Sequence, residues 1–417
     1  MSTFAKTTAL NGIAMVVKLI ASLLANKFVA VVLGPQGLAI YGQFQSILIL
    51  VNGLASSAGQ AGVIRLTAVH AKDTNTLTQY WSAAFKAVLI TSLLFVVIGV
   101  FEAKYIAEHI LLKKDIVCVL QLFFLTVPFA AITTLFLSCA NGMSATKEYI
   151  IAGLIVGLLN SAAVLIGVFF SGLYGIIAWI SIFQIVSLIT IFYYFKSKNW
   201  FYYHAFLSNI NNESFKKILS LAVMVIVAVL SAPIIQIFIR YIMSEIYGLA
   251  VVGYWQAISR IGDMYVMMLT TLLGVYYFPR FSAEKNILVL CKDIQHFFIV
   301  VYPIFLLGYL FFYLFKEVFI TLIYSKEFMP ALIFLKAQIL LDATRILSWL
   351  FGYLVMARGS PKAFIFAEFT TLIFALIMSY ALLKYYGYIG AVYSMILANI
   401  LYIFILIFSL KKGAEYE

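Results

Sequence analysis

GLAIYGQFQ, Gly37 to Gln45, returns 211 residues later as GLAVVGYWQ, Gly248 to Gln256. The shared pattern is G-L-A-x-x-G-x-x-Q, and each copy opens an apolar run. Self-similarity at corresponding positions marks an internal structural repeat. Two weaker echoes keep the same order: CANGMSATK (Cys139–Lys147) against MARGSPK (Met356–Lys362), and GLYG (Gly172–Gly175) against GYIG (Gly387–Gly390). The repeating unit is therefore about half the chain.

Apolar runs continue outward from both copies to the ends of the chain. Hydrophobic residues make up 65% of the 417 positions, charged residues 11%, and the mean hydropathy is +1.06. That usage belongs to multi-span helical membrane proteins. Cutting the runs at polar or Gly/Pro clusters predicts twelve spans, at 9–33, 38–63, 80–100, 117–141, 149–170, 174–195, 217–243, 249–278, 294–315, 331–356, 362–383 and 388–410. The first run is followed by Gly34-Pro35 rather than a cleavage site, so it is expected to stay as a span. Three cysteines, with Cys118 and Cys139 inside apolar runs, argue against a disulfide framework.

The segment KSKNWFYYHAFLSNINNESFK, Lys196 to Lys216, is the longest connection without an apolar run, and it splits the spans six plus six. The expected domains are an N-terminal bundle over 1–196, a connector over 197–216 and a C-terminal bundle over 217–417. Six spans separate the members of each echo, so the halves share one orientation and form a parallel repeat about an axis along the membrane normal. The expected fold is all-α and polytopic, with twelve transmembrane helices in two parallel six-helix bundles and a central cleft.

Lys and Arg set the orientation. With a cytoplasmic N-terminus, the inner segments carry fifteen of them, including Lys6, Arg65, Lys72, Lys147, Lys285, Arg358, Lys362, Lys411 and Lys412, against six in the outer segments. Basic loops resist translocation and favour the anionic inner surface, so both termini are expected in the cytoplasm. Most of the formal net charge of +12 is this bias and calls for no nucleic acid.

The embedded charges remain. Lys18, Lys27, Lys86, Arg240, Arg260, Lys336 and Arg345 fall within spans, against only Asp263, Asp342 and Glu368. A charge at mid-bilayer costs about 2.5–3.5 kcal/mol on insertion scales, so such residues mark wet interiors and pathways. An excess of cations suits an anionic substrate. In GYWQAISRIGDMY (Gly253–Tyr265), Gln256, Ser259, Arg260 and Asp263 share a helix face that Thr270 continues; in span ten, Gln338, Asp342, Arg345 and Trp349 share another. Each arginine has an acid at i+3 or i−3 to hold it while it presents donors to a ligand. The alternative is that these pairs only glue helices together. Lys86 and Lys336 lie near span ends and can snorkel. Lys18 and Lys27, nine residues apart, fall on opposite sides of one straight helix and so cannot both face one cleft, and Lys18 lies nearer mid-span.

Span two carries VNGLASSAGQAG (Val51–Gly62), whose Asn52, Ser56, Ser57 and Gln60 among glycines suit a bent helix lining a cavity, or else close helix packing. Pro233, with Gln236 and Arg240 after it, suggests a kinked helix with polar residues turned inward. His70, His109, His204 and His296 show no metal-ligand spacing, and no phosphate-binding glycine loop is present, so neither a metal site nor nucleotide hydrolysis is indicated. The largest outer connections, near Glu102–Asp115 and Lys316–Met329, are small for a membrane polymerase or glycosyltransferase.

With the twelve spans in two sixes, FVAVVLGPQGLAIYGQFQ (Phe28–Gln45), YWQAISRIGDMY (Tyr254–Tyr265) and LLDATRILSWLFGYLVMARGSPKAFIFAE (Leu340–Glu368) resemble the O-antigen translocases. These are the Wzx-type flippases of lipid-linked oligosaccharides, in the multidrug/oligosaccharidyl-lipid/polysaccharide exporter superfamily. The resemblance is strongest to the branch that includes the enterobacterial common antigen lipid III flippase, and it covers nearly the whole chain. It implies a MATE-like, V-shaped cleft and movement of an undecaprenyl-diphosphate-linked sugar repeat, O-antigen or a similar surface glycan, from the cytoplasmic to the periplasmic leaflet of a bacterial inner membrane by alternating access. On that basis Arg260, Arg345, Lys18 and Arg240 are expected to contact the diphosphate or acidic sugars. Trp255, Gln256, Gln338, Trp349 and Asn52 are expected to contact the glycan. Asp263, Asp342 and Glu368 are expected to titrate during turnover, with H+ or Na+ as coupling ion and no cofactor or metal. A monomer suffices for a complete pathway, and a polysaccharide polymerase and chain-length regulator are the expected protein partners. The rival readings are a drug or small-metabolite antiporter of the same superfamily, a polymerase or glycosyltransferase, and a membrane scaffold without transport.

Overall fold

The computed structural model describes residues 3–208, 211–283, 287–357 and 361–414, and these are almost wholly helical. In order they form α1 (Thr3–Ala55), α2 (Ala61–Val69), α3 (Thr74–Tyr105), α4 (Val117–Gly142), α5 (Thr146–Lys196), α6 (Asn212–Tyr247), α7 (Leu249–Leu272), α8 (Phe278–Ala283), α9 (Ile287–His296), α10 (Tyr302–Leu314), α11 (Lys316–Ile323), α12 (Leu335–Ala357), α13 (Pro361–Tyr386) and α14 (Gly390–Ala414). Eight stretches among the described residues are long and apolar enough to cross a membrane. Three of these run to 46, 51 and 48 residues. At 1.5 Å per residue that is roughly 70 Å, twice the about 30 Å of a bilayer's hydrocarbon core. Each is interrupted once, at Gly34, at Ser171–Gly172 and at Gly387. With the runs on either side of each break, and with α7 continuing through a π-helical turn at Leu273–Tyr277 into α8, helix occupies all twelve positions expected from the sequence. The protein is a multi-pass membrane protein, and apolar side chains such as Phe101, 82% exposed, face outward from its helices.

The break at Gly172 shows how a reversal is made. Gly172 has φ +60 and ψ −133, a conformation that a Cβ makes costly. The chain then returns so closely that a Cβ on Gly167 would overlap the backbone of Gly175. The second GxxG echo repeats this arrangement: Gly387 has φ +69, and Gly390 lies against the carbonyl of Leu382. GLYG and GYIG are thus one hairpin turn used twice, with one glycine reversing the chain and the next letting two helices close.

Two compact units divide the chain, Met1–Leu33 with Gln43–Pro233, and Gly34–Gly42 with Ile234–Glu417. The division falls at Pro233 inside α6 and not in the connector expected at 197–216. Pro233 lacks the N–H that would bond the preceding turn, so α6 is weakened there. The described part of the connector is instead packed down in unit one: Trp81 stacks on Phe206 at 5.4 Å, and Ser82 Oγ donates to the Ser208 carbonyl at 2.6 Å. Lys86 Nζ reaches the same carbonyl at 3.4 Å, and Lys217 Nζ reaches Tyr80 Oη at 3.3 Å. The starts of α3 and α6 therefore share one end of unit one with the connector, as the alternation of spans requires. The side chains of Lys6, Lys285, Arg358, Lys362, Lys411 and Lys412, used for the orientation, lie outside the described residues, as does part of the MARGSPK echo.

A second departure is that Gly34–Gly42 belongs to unit two. A Cβ on Gly253 would overlap the Pro35 carbonyl, and one on Gly42 would overlap the Gln256 amide. The corresponding glycines of the two motif copies, Gly42 and Gly253, therefore both serve the packing of unit two. In unit one, α1 stops at Ala55, a 3-10 turn covers Ser57–Gly59, and Gln60 is non-helical before α2 begins. The predicted second span is broken where its polar, glycine-rich stretch suggested a bend.

Candidate substrate and coupling sites

Unit two gathers most of the embedded charges on α6, α7 and α12. Asp342 is wholly buried, and its carboxylate is fully engaged. Arg345 Nη1 donates to Oδ1 at 2.9 Å, Gln338 Nε2 donates to both oxygens at 3.0 and 3.1 Å, and Tyr309 Oη donates to Oδ2. Ser259 Oγ on α7 donates to Gln338 Oε1 at 3.3 Å and so ties the two helices. The approach depends on Gly262, where a Cβ would overlap the Asp342 carboxylate.

Arg345 is the bridge. Its Nη2 reaches Asp263 Oδ1 on α7 at 2.9 Å while Nη1 holds Asp342 on its own helix. The planar fork of five N–H donors lets one guanidinium serve two carboxylates. The i,i+3 pairing expected in span ten is present. In span eight Asp263, with its side chain 44% exposed, bonds Arg345 in place of Arg260. Arg260 makes no ion pair or hydrogen bond among the described residues, and its Nε is buried without a partner.

Arg240 on α6 is enclosed. It donates from Nη1 to the Gly42 carbonyl at 3.1 Å and from Nη2 to Gln256 Oε1 at 2.6 Å, and its guanidinium lies 5.7 Å from the Trp255 ring centroid. Trp255 is 1% exposed, so it packs on Arg240 and offers no open ring face. Gln256 and Gln338 likewise spend acceptor oxygens inside the unit. Trp349 is 47% exposed and lies 5.9 Å from Tyr353, so it has the open face that Trp255 lacks. Glu368 sits apart on the α13–α14 hairpin, where Tyr402 Oη donates to Oε1 at 3.0 Å beside Ala367 and Leu406.

Unit one holds Lys18 and Asn52. The Lys18 stem lies across Gly153 and Gly157 of α5, where added Cβ atoms would come within 3.4 and 3.2 Å of it; its ammonium has no hydrogen bond or ion pair among the described residues. Asn52 lines a cavity of about 230 Å³ inside the unit. The charged network thus brings together Arg345, Asp263, Asp342 and Gln338, while Arg240, Gln256 and Trp255 form a separate cluster. Sequence reasoning missed Gly262 and Tyr309. Gly262 could have been suspected from its place beside Asp263 on the polar helix; Tyr309 stands in an aromatic run that carries no such signal.

Helical bundles crossing the membrane, an internal two-fold repeat and charges held within helices define a polytopic transporter fold. The chain belongs to the polysaccharide biosynthesis protein family, whose profile matches residues 4–284. It is 21% identical over 398 residues to the lipid III flippase of Escherichia coli (strain K12), covering 95% of this chain and 96% of that one, and equally to the lipid III flippase of Shigella flexneri. Among solved structures, an inward-facing multidrug resistance MATE family transporter of the MOP superfamily shares the fold with a TM-score of 0.80 at 15% identity, over 95% of this chain and 96% of that one. The lipid II flippase MurJ, in an inward closed conformation, gives 0.74 at 14% identity, over 97% and 87%. A MOP superfamily transporter from Pyrococcus furiosus, described as having a binding pocket of reversed polarity, gives 0.71 at 17%, over 97% and 96%.

Proposed function

We propose that the chain is a flippase, a transporter and not an enzyme, which moves an undecaprenyl-diphosphate-linked oligosaccharide across a bacterial inner membrane from the cytoplasmic to the periplasmic leaflet. Relatedness over nearly its full length to lipid III flippases carries the reading. The charge distribution supports it. Arg260 is a guanidinium without a hydrogen bond or ion pair among the described residues, and such a group suits a diphosphate, which accepts paired N–H bonds. Lys18 is a second cation with no hydrogen bond or ion pair among the described residues. The prenyl tail stays in lipid while the anionic head passes by alternating access. Both termini lie in the cytoplasm in this reading, one chain suffices, and a polymerase and chain-length regulator act on the product.

Asp263, Asp342 and Arg345 are the proposed coupling group. Protonation of Asp263, the exposed acid, would release one arm of Arg345. A proton suits this pair better than Na+, because the guanidinium already fills the space between the carboxylates. Arg345 and Arg240 then contact substrate only after leaving the partners they hold here.

The test is reconstitution in vesicles with a fluorescent undecaprenyl-diphosphate oligosaccharide, following exposure of the label to a membrane-impermeant quencher with and without ion gradients. Acceleration by the wild type, lost in Arg260→Ala while that variant still inserts, is the expected result. No acceleration under any gradient with the matched glycan would overturn the reading. The MATE fold would then favour a drug antiporter, which the excess of embedded cations now disfavours.

A further inference from the structure

The cavity in unit one is lined by three amides, Asn52, Asn160 and Gln184, and three hydroxyls, Thr133, Thr134 and Ser187, with no charged side chain among its lining residues. Gln184 is 8% exposed, and its Oε1 is buried without a hydrogen-bond partner among the described residues, as is Asn52 Oδ1. Thr133 and Thr134 donate to the Phe129 and Ala130 carbonyls at 2.8 and 3.0 Å, which leaves their oxygens as acceptors. Buried polar atoms are nearly always paired in native proteins, and two orphans lining one cavity call for hydrogen-bonding groups, of a ligand or of water, that enter the cavity. Phe183 lines the same space, its ring held edge-on by Trp179 at 5.9 Å.

The chemistry of this lining narrows the ligand. A phosphate or acidic sugar calls for a cation, and a metal cation calls for carboxylates; the lining supplies neither. Amides and hydroxyls offer donors and acceptors together, as the hydroxyl and N-acetyl groups of an uncharged sugar require, while Phe183 presents an aromatic surface to the apolar face of a pyranose. The volume of about 230 Å³ is below the roughly 300–1,000 Å³ of pockets for drug-sized ligands, so it suits one ring and not an oligosaccharide. Lys18, whose stem lies on Gly157 at the cavity wall, supplies charge next to the cavity and none within its lining.

We propose that this cavity is a subsite for one uncharged sugar residue of the translocated glycan, with Asn52 and Gln184 as its principal hydrogen-bonding groups. The inference rests on the flippase reading and adds where, and by what chemistry, glycan is distinguished from bare lipid carrier.

The experiment compares binding of two probes to the full chain in lipid nanodiscs, undecaprenyl diphosphate and undecaprenyl diphosphate bearing one N-acetylhexosamine, for the wild type, Gln184→Leu, Asn52→Leu and the milder Ser187→Ala. Flipping of the sugar-bearing probe is measured in parallel, and size-exclusion profiles and melting temperatures check folding. The expected result is a preference of the wild type for the sugar-bearing lipid of about ten-fold or more, the worth of one or two hydrogen bonds. Gln184→Leu and Asn52→Leu should abolish that preference without weakening bare-lipid binding, and Ser187→Ala should reduce it. Wild-type flipping with the preference intact in all three variants would overturn the subsite and leave the flippase reading standing. Neither binding nor flipping of either probe by the wild type would overturn both. A wild-type melting temperature raised by NaCl but not KCl, with that rise lost in Gln184→Leu and the sugar preference kept, would make the cavity a cation site and overturn the proposal.

Discussion

Asp342 and Arg260 sit two helical turns or less from other charges in very different circumstances. Asp342 is wholly buried yet accepts from Arg345, Gln338 and Tyr309, and a buried charge is tolerable only when satisfied in this way. Arg345→Ala would leave Asp342 without its counter-charge. It is expected to cost about 3–5 kcal/mol, read as a large fall in melting temperature in detergent, whereas Arg345→Lys should recover part of it. Gly262→Ala puts a methyl group into the Asp342 carboxylate and is expected to cost about 1–3 kcal/mol as overpacking. Gly12→Ala, inside α1 where nothing lies within 4 Å, is the control: it should not lower the melting temperature and, by helix propensity, should raise it slightly. Arg260→Ala removes a cation with no hydrogen bond or ion pair among the described residues, so it should lose transport without a comparable loss of stability. A large loss of stability in that variant would show that Arg260 has a structural task.

Helix ends and hairpins carry the next level of organisation. Gly172, at φ +60, sits where L side chains are strained, and Gly172→Ala is expected to cost about 1–3 kcal/mol, measured as lower melting temperature and reduced membrane insertion. At the start of α3, Asp73 Oδ1 accepts from the Asn75 and Thr76 backbone N–H groups at 3.1 and 3.2 Å, and Oδ2 accepts from Thr76 Oγ1 at 2.5 Å. The Thr76 hydroxyl first, and then the backbone donors, hold its carboxyl below the usual carboxylate range. A lowered folded value means stability that is present above the ordinary carboxylate pKa and is lost as the pH falls through the folded one. Asp73→Ala should therefore lower the melting temperature near neutrality and flatten its acid limb. The GLYG and GYIG echoes were readable as a repeat from sequence. Their meaning as a turn required the backbone, because only there does the approach of Gly167 to Gly175 and of Leu382 to Gly390 become visible.

For the whole molecule, the twelve spans expected from the sequence and the basic excess on alternate connections predict a definite topology. With the N-terminus inside, cysteines placed by Ser144→Cys and Ser171→Cys in a cysteine-free background should label from opposite sides of the membrane, the first only from the cytoplasm and the second only from the periplasm. Labelling of both from one side would overturn the orientation. Composition and hydropathy by themselves determined the membrane class and the all-helical, multi-span architecture, and the Gly37/Gly248 echo marked the internal repeat. Hydrophobicity and helical period are properties of contiguous residues, and a bilayer imposes them on each span independently. Only the tertiary structure decided that Asp263 pairs with a residue 82 positions away rather than with Arg260, three positions before it. It alone also placed Gly34–Gly42 in the second unit. Periodicity assigns a side chain to a face of its own helix, whereas its partner depends on how closely another helix can approach. Here that approach was set by glycines, Gly262 against Asp342 and Gly253 against Pro35, whose effect is exerted through space and not along the chain.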